Sequence, residues 1–122
     1  MQAGKICYLE IPAKDVEVSS AFYVKLFGWN VRVRGDGAKA FDDPTGAVSG
    51  SWVVGRAPAR EAGMLPYVMV EDIDRTLEAA TRLGGETVTP RTALGPGDAY
   101  ATLRDPAGNL VGLYQSRRFP SE

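Results

Sequence analysis

The chain carries one short pattern twice. Asp43-Pro44-Thr45-Gly46 and Asp105-Pro106-Ala107-Gly108 stand 62 residues apart in a chain of 122, and each runs on toward a glycine and an aromatic. Gly50 and Trp52 follow the first, and Gly112 and Tyr114 follow the second. A weaker echo lies upstream, where Tyr8 to Val16 is matched by Leu65 to Ile73. A duplicated module builds one site from equivalent positions of its two halves. Here those positions hold neither histidine nor acid, and the whole chain contains no histidine.

Alternation over Ile6 to Ile11 predicts a strand, with Cys7, Leu9 and Ile11 on one face and Tyr8 and Glu10 on the other. Asp15 caps a helix that runs to about Leu26 and stops at Gly28, with Phe22 and Leu26 on one face. Trp29 to Arg34, a stretch near Lys39 to Asp42, and Ala47 to Val54 read as strands. Gly35-Asp36-Gly37 and the Asp-Pro-Thr-Gly segment read as turns between them. Arg56 to Gly63 lacks periodicity and reads as a linker.

The second half repeats the order. Leu65 to Val70 is a strand, and Asp72 caps a helix with the stripe Ile73, Leu77, Ala80 and Leu83, ended by Gly84-Gly85. Strands fit near Glu86 to Val88, Tyr100 to Leu103 and Leu110 to Gln115, while Thr89 to Asp98, with two prolines and two glycines, reads as a loop at a pocket mouth. The expectation is a single α+β domain, 1–122, made of two βαβββ modules in tandem (1–55 and 64–122, linker 56–63). Their strands form a curved mixed sheet around a cleft, with the helices on the outer face.

Net charge is −1 with Lys and Arg dispersed, which argues against a nucleic-acid surface; the Arg117-Arg118 pair reads as solvated. No apolar stretch approaches the about 18 residues of a membrane span, and no signal-peptide pattern opens the chain. A cytoplasmic protein with no membrane partner is expected. The one cysteine cannot form an internal disulfide, and Cys7, in an apolar run, reads as a small buried hydrophobe.

Four segments together resemble the vicinal oxygen chelate superfamily, the glyoxalase I, bleomycin-resistance and extradiol-dioxygenase group. They are Glu10-Ile11-Pro12-Ala13-Lys14-Asp15, the helix run from Ala21 to Trp29, Tyr67 to Asp74, and Asp105-Pro106-Ala107-Gly108-Asn109. The resemblance implies the paired-module fold and a homodimer. It also implies that metal-active members place His, Gln or Glu at up to four positions facing the cleft. Counting seven back from Asp15 and Asp72, and seven on from Asp43 and Asp105, those positions are Tyr8, Leu65, Gly50 and Gly112. None is a useful ligand for zinc, nickel or iron. A member without the metal ligands, and with no cofactor, is expected.

Alternation names Tyr8, Glu10, Gly50, Trp52, Leu65, Tyr67, Met69, Gly112 and Tyr114 as the cleft wall, of which Tyr8, Glu10, Trp52, Leu65, Tyr67, Met69 and Tyr114 are the candidate ligand contacts. Such a wall suits a small molecule, although the same aromatics could fill the space as core. Glu10 is the candidate catalytic residue: a general base if desolvation raises its pKa, a partner for a cationic group, or a strand-end acid reaching water. The favoured expectation is a metal-independent binder of a small apolar or aromatic molecule. The alternative is an enzyme of the lyase or isomerase type using Glu10, or a metal-dependent one with non-standard ligands such as Glu10 and Asp98. Asp43 and Asp105 each start a turn and are expected to bond backbone amides.

Overall fold

The computed structural model describes residues 3–116; the Arg117-Arg118 pair lies outside them. The chain divides into two compact units, Met1–Ala57 and Pro58–Glu122, each described by itself.

In the first unit the order is β1 (Tyr8–Pro12), α1 (Val16–Phe27), β2 (Asn30–Val33), β3 (Lys39–Asp42) and β4 (Ser49–Val53). The sheet runs β1-β4-β3-β2, with β1 and β4 parallel and the remaining pairs antiparallel. Asp15 caps α1 by accepting from the amides of Glu17 and Val18, and Gly28 closes it at φ 74°, where a side chain would be strained. The buried face of α1 carries Phe22 and Tyr23. Tyr23 stacks on Trp29 at 4.8 Å and Trp29 stacks on Phe41 at 4.4 Å, so the core of this unit is a run of aromatic rings.

The second unit repeats the order: β5 (Tyr67–Met69), α2 (Ile73–Arg82), β6 (Glu86–Gly95), β7 (Asp98–Arg104) and β8 (Leu110–Gln115), in the sheet β5-β8-β7-β6. Asp72 accepts from Arg75 N–H, and Gln115 Oε1 accepts from Ile73 N–H, so two residues satisfy the exposed amides at the start of α2. Ile73, Leu77 and Ala80 bury the helix face, and Ala101, Leu103, Val111 and Leu113 fill the sheet side of this core.

Two expectations change. The segment from Thr89 to Asp98 is mostly strand: β6 extends to Gly95 and pairs with β7 through three register shifts. Pro90 is tolerated because β6 is an edge strand, where a missing amide costs no ladder bond. Cys7 is exposed, because the strand starts only at Tyr8 and the residues before it are uncovered.

The stretch read as a linker belongs in part to the second unit. Ala59 N–H donates to Asn109 Oδ1 at 2.8 Å, and Leu110 N–H donates to the Ala59 carbonyl at 2.7 Å. Arg104 Nη1 donates to the Arg60 carbonyl at 2.5 Å. The same Asn109 is held by Asp105, which accepts from the Asn109 amide and side chain and from Ala107 N–H.

Candidate functional site

On the first sheet, Tyr8 pairs with Ser49, Glu10 with Ser51, and Ile11 with Trp52. Paired residues project to the same side, so Tyr8 and Glu10 share a face with Ser49 and Ser51. Trp52 lies on the opposite face, where it is buried against Phe41 (4.9 Å) and Tyr23 of α1 (6.2 Å). Its Nε1 is buried without a hydrogen-bond partner. Gly50 also faces the helix side, under the Phe41 ring. The expectation that Gly50 and Trp52 line the same wall as Tyr8 and Glu10 is therefore corrected.

The cause is one residue of turn. Asp43 N–H is closed by the Val48 carbonyl, whereas Asp105 N–H is closed by the Asn109 carbonyl, so the first turn is one residue longer. With a side-chain period of two, a position counted from Asp43 therefore falls on the opposite face from the position at the same count from Asp105. Ser51, not Gly50, is the counterpart of Gly112: Ser51 pairs with Glu10 and Ala40, as Gly112 pairs with Tyr67 and Thr102.

The open face of the first sheet is polar, unlike the aromatic wall expected. Arg32 Nε donates to Asp42 Oδ2 at 2.9 Å, and Ser49 Oγ donates to Asp42 Oδ1 at 2.6 Å. Hydrogen bonds from Arg32 and then Ser49 hold the Asp42 carboxyl below its ordinary value. Arg34 Nη1 donates to the Tyr8 hydroxyl at 3.2 Å, and its Nη2 reaches Asp36. The backbone amide of Ala38 holds the Asp36 carboxyl below its ordinary value, with Arg34 adding to it. Glu10 is ion-paired with Arg56 at 2.8 Å, and its side chain is 47% exposed. Glu10 therefore sits half exposed beside a cation and not enclosed in an apolar cleft.

The second sheet presents a different chemistry. Tyr67 pairs with Gly112 and Met69 with Tyr114, while Tyr100 pairs with Tyr114 across β7 and β8. Tyr67, Leu94, Tyr100 and Tyr114 line an open pocket of about 420 Å³, within the range of small-molecule sites. Met69 shares the face without lining the pocket, and Leu65 precedes β5. Tyr100 and Leu94 were not anticipated. The alternation Asp98, Tyr100, Thr102 points to Tyr100, whereas Leu94 was hidden in a segment whose prolines and glycines read as loop.

The four positions that the family resemblance implied for metal ligands are Tyr8, Leu65, Gly112 and, by the ladder pairing, Ser51 in place of Gly50. A phenol, an isobutyl group, a bare backbone and a hydroxyl do not fit a divalent metal. Among the described residues no three of His, Cys, Asp and Glu are grouped to hold one.

Residues 5–113 match the family described as the Glyoxalase/Bleomycin resistance protein/Dioxygenase superfamily. The chain belongs to that superfamily. A glyoxylase-like domain-containing protein of Didymella fabae is 32% identical over 118 residues, covering 90% of this chain and 92% of that one. Superfamily structures with the same fold include a family enzyme from Burkholderia phytofirmans PsJN, at TM-score 0.74 and 19% identity over 91% of this chain and 98% of that one. A variant of the fosfomycin resistance protein FosX of Listeria monocytogenes, solved with Mn(II) and 1S,2S-dihydroxypropylphosphonic acid, matches at TM-score 0.74 and 18% identity, over 95% and 92% of the two chains. Within the superfamily fold, each unit here is one βαβββ module with a four-stranded mixed sheet. Among the described residues, no helix is long and apolar enough to cross a membrane.

Proposed function

We propose that this superfamily member is a metal-independent binder of a small aromatic molecule, taken up on the open face of its second module. The observation that carries the reading is the pocket of Tyr67, Leu94, Tyr100 and Tyr114. Three phenol rings and one aliphatic side chain offer a large, mainly apolar contact area. Metal independence rests on the donor set at the four ligand positions. Glu10 does not line this pocket and its Oε1 is engaged by Arg56, which favours binding at the tyrosines over chemistry at Glu10. Native mass spectrometry of the gently purified chain tests the proposal. A co-purifying organic mass that is lost in Tyr114→Ala is the expected result. A stoichiometric metal ion, or an organic adduct unaffected by Tyr114→Ala and Tyr67→Ala, would overturn it.

A further inference from the structure

Tyr67 is not simply one of several rings around the pocket. A Cβ added to Gly112 would stand 2.5 Å from Tyr67 Cδ2, 2.6 Å from Cε2 and 2.8 Å from Cγ. No side chain larger than hydrogen fits at Gly112 without moving that ring. The phenol is thus laid flat on the backbone of β8, yet Tyr67 stays 49% exposed. A ring pinned on one side and open on the other is a platform for a second flat ring.

The core aromatic residues of the first unit use up their faces on one another, Trp29 lying between Tyr23 and Phe41, while the exposed Tyr8 ring lies on the polar face and its hydroxyl accepts from Arg34. Among the described residues, none of the three pocket tyrosines stacks on another ring, and Tyr67, held by Gly112 on one side, is half exposed. Among the described residues, none that lines the pocket is charged. An ion leaving water for this surface finds no opposite charge in the lining, and that disfavours it against a neutral molecule.

Resting on the binding reading above, we infer that the ligand is a planar, uncharged aromatic molecule stacked on the open face of Tyr67, and that Gly112 is the positioning residue that keeps this face available. An aliphatic molecule of equal size gains burial but no stacking. An alkylammonium gains attraction to the ring faces but has no carboxylate among the lining residues.

Isothermal titration of the full chain with 2-naphthol, its saturated analogue decahydro-2-naphthol, and tetramethylammonium chloride separates these cases. The expected result is binding of 2-naphthol about tenfold tighter than its saturated analogue. Gly112→Ala and Tyr67→Leu should each erase that preference while leaving the weak binding of the saturated compound in place. Tyr67 is half exposed, so Tyr67→Leu keeps the fold even if Gly112→Ala does not. Equal affinity for the two naphthols, no binding of either, or a preference for tetramethylammonium that Tyr67→Leu abolishes would each overturn the inference. Gly112→Ala retaining the full preference would overturn the positioning role. The wider binding reading stands or falls separately, on the organic mass seen in native mass spectrometry.

Discussion

Phe41 lies across the backbone of Gly50 on the neighbouring strand, its Cε2 2.6 Å from where a Cβ would stand. Gly112 lies beneath Tyr67 in the same way, but one ring is buried in the core and the other faces outward. Gly50→Ala is therefore expected to drive its methyl into the backbone carbonyl of Leu9 on β1 as well as into the Phe41 ring, at a cost of about 3 kcal/mol or more. Gly112→Ala should cost less, because the half-exposed Tyr67 ring can swing aside. Urea unfolding of both variants checks the order, and equal losses would contradict it.

The two Asp-Pro-x-Gly turns differ in what their aspartates hold. Asp105 is buried and accepts from Ala107 N–H, Asn109 N–H and Asn109 Nδ2. Asp43 accepts from Ala47 N–H and Thr45 Oγ1 at the surface. Asp105→Ala leaves buried donors unsatisfied and is expected to cost about 2 kcal/mol or more. Asp43→Ala, with water free to replace the carboxylate, should cost well under about 1 kcal/mol. Thermal unfolding of the pair of variants reads the difference directly.

Acid stability should depend on Asp42. Its folded carboxyl is held below its ordinary value by Arg32 and Ser49, so the unfolded chain takes up the proton first as pH falls. The resulting stabilisation is complete above the ordinary Asp value of about 3.9 and is lost as pH drops through the lower folded value. Asp42→Asn removes this contribution. The stability difference between wild type and variant should be constant near neutrality and shrink below about pH 4. A difference that grows on acidification would refute the assignment.

Glu10 and Arg56 form an ion pair with both side chains about half exposed. Glu10→Gln is expected to change stability by less than about 1 kcal/mol. It should also leave binding of 2-naphthol at the tyrosine pocket unchanged in titration. A loss of binding in this variant would return Glu10 to the site.

Most of the fold was legible because its signals are local. Asp15 and Asp72 announce two helix starts, Gly28 ends the first helix, and period-two alternation marks the strands around them. The open face of the second module was legible for the same reason, since Tyr67, Met69, Gly112 and Tyr114 follow from register alone. The first module was misread at Gly50 and Trp52 because the face of a strand depends on the residue count of the preceding turn. Two turns that share Asp-Pro-x-Gly close on different carbonyls, at Val48 and at Asn109, and nothing within the motif reports that. Cys7 and Leu94 failed differently. Whether an apolar residue next to a strand end is covered, or a proline-bearing segment joins an edge strand, is decided by neighbours distant in sequence.

The extra residue between Asp43 and Val48 is taken up by the turn, so the strand that follows keeps its place in the sheet: Ser51 stands where Gly112 stands, and Trp52 where Leu113 stands. A loop can thus change length by one residue without turning any core side chain out to solvent. Place in the ladder, and not distance along the chain from a shared motif, decides which residues of the two modules correspond.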